Sequence, residues 1–118
     1  MASQPRHYIS PEEYLAIERA AEFKSEYYAG EMFALSGGSR AHSLIGVNVV
    51  SSLRNQFEGR NCEVHSSDLR VKVSPTGLYT YPGAIAFCGE PEFEDAQTDI
   101  LLNPQLIVEL LSPTTETY

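Results

Sequence analysis

Long apolar runs are missing from this sequence. None approaches the ~20 residues that cross a bilayer, so no membrane-spanning segment is expected. The first seven residues, Met1 to His7, lack the apolar core of a secretory signal, which makes a cytoplasmic protein the expectation. Cysteine is scarce: Cys62 and Cys88 are the two in the chain, and neither belongs to a CxxC pair. That removes support for a thiolate zinc site. In a cytosolic chain buried free thiols are expected, with a single disulfide as the alternative. Lysine is scarcer than acid. Lys24 and Lys72 stand beside six scattered arginines, and the formal net charge is −8. Such a balance counts against non-specific binding to nucleic acid, which needs clustered cations. It does not exclude a nuclease, because an acidic active site itself contributes negative charge.

What is present suits one soluble globular domain over residues 1–118, since that length buries one modest core. Ser10-Pro11-Glu12-Glu13 is a helix start, with Ser10 as N-cap, Pro11 in the first helical position and Glu13 closing a capping box. Tyr14, Leu15, Ile17 and Ala21 follow at helical spacing, so a helix is expected over about 11–21. Ser25–Tyr28 and Glu31–Leu35 flank Ala29-Gly30 and read as a β-hairpin. After the joint Ser36-Gly37-Gly38-Ser39, helical spacing returns from Arg40 to Phe57. The joint has neither GxGxxG nor the lysine of a phosphate-binding loop, so it reads as a helix-entry turn. Short strands are expected at 62–65 and 69–73. The turn Ser74-Pro75-Thr76-Gly77 then leads into one strand over 78–87. The acidic segment Gly89–Asp95 lacks calcium-loop spacing and reads as a solvated loop. A last strand is expected over 105–111, stopped by Ser112-Pro113, with the first turn of a helix announced at Thr114–Thr117. The fold class is α/β (α+β), a mixed sheet flanked by helices.

Two segments bear on chemistry. Tyr81-Pro82-Gly83-Ala84-Ile85-Ala86-Phe87 opens a β-rich run, and Leu106–Leu111 carries one carboxylate, Glu109, inside an apolar stretch. An isolated buried carboxylate is expensive unless a cation or hydrogen-bond network offsets it. Two neighbouring strands that each present an acid make a divalent-metal site. Here Gly83 stands where the first acid would be.

Several segments in this order resemble the Uma family of restriction-endonuclease-like proteins. They are Glu26-Tyr-Tyr-Ala-Gly-Glu31, Gly37-Gly-Ser-Arg-Ala-His42, Ser67-Asp68-Leu-Arg-Val-Lys72, Tyr79-Thr-Tyr-Pro82, Cys88-Gly-Glu-Pro91 and Asn103 through Thr114. The resemblance covers nearly the whole chain and implies the PD-(D/E)xK nuclease fold, in which Mg²⁺ held by two carboxylates cleaves DNA. It gives Glu109 the second carboxylate role and leaves Gly83 at the vacant first position, where family members read Tyr-Pro-Asp. The motif's lysine would fall at Leu111. Glu26 or Glu31 would face the cleft, or both would be solvated strand positions; His42 would contact phosphate or metal, or be a capping or surface histidine; and Asp68 would be a cleft residue or half of a surface ion pair beside Arg70 and Lys72. Family members continue for dozens of residues beyond the Ser112-Pro113 segment. The expectation is therefore a truncated, impaired Mg²⁺-dependent DNA endonuclease; the alternative is a non-catalytic self-associating or partner-binding module. With C-terminal elements missing, exposed apolar surface would favour a homo-oligomer.

Overall fold

A computed structural model describes residues 8–111. The helix turn expected at Thr114–Thr117 lies outside that range. Helix α1 spans Pro11–Ala20, and its start is the capping box: the Glu13 amide donates to Ser10 Oγ at 3.1 Å and the Ser10 amide donates to Glu13 Oε1 at 3.0 Å. Strands β1 (Ser25–Tyr28) and β2 (Glu31–Ala34) form the hairpin, in register Tyr28↔Glu31 to Ser25↔Ala34. Gly30 has φ +87°, a left-handed conformation that its missing Cβ makes cheap. Helix α2 covers Arg40–Phe57, and Ser39 Oγ caps it by accepting from the His42 amide at 3.1 Å.

The remaining strands are β3 (Cys62–Ser66), β4 (Arg70–Val73), β5 (Leu78–Thr80), β6 (Ala84–Cys88), β7 (Ile100–Leu101) and β8 (Leu106–Val108). They form two sheets where one was expected. The first runs β2-β1-β5-β4-β7 and is mixed, because β7 joins β4 in parallel; the second runs β3-β6-β8 and is antiparallel. The single strand expected over 78–87 breaks at Tyr81-Pro82-Gly83. Residues before the break belong to the first sheet and residues after it to the second. Proline has no amide hydrogen for a ladder, and Pro82 is buried where the chain passes between the sheets.

Strand alternation sorts side chains into layers. Tyr27, Tyr79 and Ile100 point from the first sheet to α1, where they pack with Tyr14 and Leu15. Val71 and Leu101 point the other way and meet Ile85 and Phe87 of the second sheet. The outer side of the second sheet carries α2 against β3 and β6. The order of layers is thus α1, five-stranded sheet, three-stranded sheet, α2.

Two further expectations need correction. Cys62 and Cys88 are not free thiols: they are register partners across β3 and β6 and form a disulfide. Their 26-residue separation hides a juxtaposition that strand pairing alone creates. The acidic segment is not a simply solvated loop either. Glu94 accepts from Tyr79 Oη at 2.8 Å and from Lys72 Nζ at 2.7 Å, and Asp95 and Asp99 clamp Arg19 of α1 at 3.1 and 2.7 Å.

Candidate active site

Glu26 alternates with Tyr27 on β1, so it faces the second sheet. The β1–β5 register pairs Tyr27 with Tyr79, which sets Thr80 across from Glu26. The Thr80 hydroxyl donates a short hydrogen bond to Glu26 Oε2. Glu109 follows directly after β8. Alternation along Ile107 and Glu109 turns its side chain toward the first sheet, because Ile107 pairs with core residue Ile85. Two carboxylates therefore approach each other from facing sheets. Desolvation pushes the Glu109 carboxyl above its ordinary value, and the nearby Glu26 charge pushes it further in the same direction. Among the described residues no cation or hydrogen-bond donor answers Glu109.

Gly83 occupies the position expected for a missing acid. It lies one residue before β6, whose ladder with β8 ends at Ala84↔Val108, and its open side faces Leu110 rather than Glu109. The space a side chain there would need is taken. A Cβ on Gly83 would lie 2.8 Å from Leu110 Cγ, 3.1 Å from Leu110 Cδ1 and 3.2 Å from the Val108 carbonyl oxygen. An open groove of about 370 Å³ adjoins this point, lined by residues that include His42, Gly46, Ser66, Gly83 and Leu110.

His42 reaches the same segment from α2. Its Nε2 donates to the Leu110 carbonyl oxygen at 3.1 Å, so it grips the chain one residue beyond Glu109. Glu31 lies on the face of the hairpin that carries Glu26, toward the turn. Asp68 stands apart: it is highly exposed and takes the ammonium of Lys24 at 2.6 Å, rather than Arg70 or Lys72. Leu111, at the position of the motif's lysine, is exposed.

Sequence reasoning missed Thr80 and a polar network beneath α1. Buried Glu18 accepts from Tyr81 Oη at 2.6 Å and from the Ser25 amide at 2.7 Å, and Arg70 Nε donates to the same Tyr81 oxygen at 2.9 Å. The i, i+4 relation of Tyr14 and Glu18 was a usable signal for the buried face. Among the described residues, no group of three or more His, Cys, Asp or Glu side chains converges as a metal centre.

The family model described as "Putative restriction endonuclease", Uma2, matches residues 11–118. This chain belongs to the Uma2 family. It is 39% identical over 116 residues to the "Uncharacterized protein slr1290" of Synechocystis sp., covering 98% of this chain and 60% of that protein. It is 33% identical over 104 residues to "Uncharacterized protein sll1609" of the same organism, covering 88% of this chain and 59% of that one. Among solved structures it resembles a "putative nuclease belonging to DUF820" from Anabaena variabilis, with TM-score 0.70 and 23% identity, over 87% of this chain and 58% of the other. At that identity the likeness bears on the fold alone. This Uma2 chain thus spans about three fifths of the length of these relatives.

Proposed function

We propose that this Uma2 chain carries the metal-binding part of a restriction-endonuclease-like nuclease, in which Glu26 and Glu109 together hold one Mg²⁺ for hydrolysis of DNA phosphodiesters. The observation that carries the reading is the pairing of these carboxylates from facing sheets. Glu109 is pushed toward its protonated form and has no cationic partner among the described residues. An oxygen-only donor set of two carboxylates suits Mg²⁺, which takes one or two carboxylates and keeps much of its water. When bound, the ion would polarise the scissile phosphate and lower the pKa of a water.

The chain's own residues prepare the place. The Thr80 hydroxyl engages one oxygen of Glu26, and the other would serve the ion. His42 holds the Leu110 carbonyl and so fixes the path of the segment that carries Glu109. Gly83 supplies no donor, and Glu31 and Asp68 stand outside the proposed ligand set. With two ligands the affinity should be modest.

Thermal melting in Mg²⁺ or Mn²⁺ against chelator tests this without requiring turnover. Ion at ten times its dissociation constant should raise the melting temperature by roughly 5 °C. Glu26→Gln and Glu109→Gln should each abolish most of the rise. No rise in the wild-type chain, or an undiminished rise in Glu109→Gln, would overturn the proposal.

One observation favours a second reading, a non-catalytic interaction module. Leu110 fills the space beside Gly83, so the first acid of the nuclease pattern is sterically replaced as well as absent. A chain that binds no ion and cleaves no DNA, but does associate, would favour that reading.

A further inference from the structure

Strand β3 is the edge of the second sheet, with β6 on one side and, among the described residues, no strand on the other. Its first residue, Cys62, bonds to Cys88 of β6. This disulfide is not sealed in the core: Cys62 is half-buried and Cys88 is exposed. Thiols in solution therefore reach it, and access is one of the factors that set the rate of disulfide exchange.

Direction of approach decides which sulfur reacts. A thiolate attacks a disulfide in line with the S–S bond, from the side opposite the leaving sulfur. For Cys62 that side is the open edge of β3. For Cys88 it is the side of β6 that carries β8, where the Gln105 side-chain oxygen accepts from the Cys88 amide. A groove of about 470 Å³ runs between the end of α2 and β3, and Cys62 lines it whereas Cys88 does not. That volume suits a small ligand. Its charges narrow the choice. Arg54 and Arg60 line the groove, both exposed, and neither forms an ion pair among the described residues. Glu58 and Glu63 line it too; Glu63 is engaged by His65 at 2.9 Å, which leaves Glu58. Two guanidinium groups suit carboxylates, and Glu58 suits an ammonium. The complement is a small thiol that carries both signs of charge. Nucleic acid, with charge of one sign, would meet both glutamates.

We propose that Cys62 is a thiol-exchange site and that this groove docks a low-molecular-weight zwitterionic thiol beside it. The incoming thiolate forms an S–S bond to Cys62 Sγ as the Cys62–Cys88 bond breaks, and the electron pair leaves on Cys88 Sγ. The products are a mixed disulfide on Cys62 and a free Cys88 thiolate, with no external oxidant consumed. Attack by Cys88 on the mixed disulfide reverses the step and releases the small thiol. The proposal goes beyond the nuclease reading and does not rest on it.

Glutathione is the probe. The oxidised chain is mixed with increasing glutathione, free thiols are trapped with N-ethylmaleimide, and the digest is read by mass spectrometry. The glutathione adduct should sit on Cys62 and the maleimide on Cys88, and the rate should saturate with glutathione. S-Methylglutathione, which has no thiol, should slow the exchange. Joint Arg54→Ser and Arg60→Ser substitution should slow the glutathione reaction about tenfold and leave the reaction with uncharged mercaptoethanol unchanged. Arg40→Ser, outside the groove, should alter neither rate. Absence of exchange, an adduct on Cys88, a rate that stays linear, or no protection by S-methylglutathione overturns the proposal. So does a glutathione rate that ignores both arginines, or one slowed no more than the mercaptoethanol rate. Protection by S-methylglutathione is measured on the wild-type chain and decides the matter should the double variant fail to fold.

Discussion

Glu109 shows how a single side chain can be readable and still surprise. Its presence in an apolar run marked it as costly, and the structure places it one residue past β8, exposed at its surface and turned toward Glu26. Desolvation and the Glu26 charge raise its proton affinity in the folded chain. The folded state then binds more protons than the unfolded state just above the ordinary carboxylate range. Stability therefore falls as pH rises from about 4.5 through the raised value, and it stays lower above that. Glu109→Gln should remove this loss. In chelator the variant should melt above wild type at pH 7 and close to it at pH 4, as read by calorimetry across pH. Equal melting at both pH values would mean that neither desolvation nor the Glu26 charge raises the Glu109 carboxyl in the folded chain. Glu18 was the harder residue to foresee. Its spacing from Tyr14 put it on the buried face of α1, but its partners Ser25 and Tyr81 come from β1 and from the break after β5. No local pattern joins those segments.

At the scale of elements, what was legible is what local chemistry decides. Helix α1 begins where its cap announced it, because Ser10 accepts from the Glu13 amide; α2 begins where its spacing placed it, at Arg40, and its cap is Ser39, which had read only as part of the joint before the helix. The hairpin formed because Gly30 can take a positive φ. The exchange between sheets was not legible. Leu78 to Phe87 keeps an apolar composition straight through Pro82, and composition cannot tell which sheet each half joins. That exchange makes Gly83 a point of close approach. Gly83→Asp must displace Leu110 Cγ, which lies 2.8 Å from the new Cβ, and should destabilise the chain by about 1–3 kcal/mol in urea titrations. Adding Leu110→Ala should recover part of that loss. If Gly83→Asp alone is neutral, Leu110 is looser than its packing implies.

Across the whole molecule, class was readable and pairing was not. Alternating helix and strand signals gave an α+β domain, while the split into two sheets and the Cys62–Cys88 bond depend on contacts distant in sequence. That bond ties both ends of a segment running from β3 to β6, including β4 and β5 of the other sheet. For a 26-residue separation, the chain-entropy account puts its contribution at about 3–4 kcal/mol. Reductant should lower the urea midpoint accordingly, whereas a Cys62→Ser, Cys88→Ser double variant should not respond to it. The layered core has a consequence for the acidic site. Glu26 hangs from one sheet and Glu109 from the other, so no backbone ladder sets the interval between them. That interval is the thickness of the filling, Val71, Leu101, Ile85 and Phe87. The core thus works as a spacer of fixed gauge: trimming or swelling it by a methyl group would shift the interval between Glu26 and Glu109 from a distance, with both carboxylates still in the sequence.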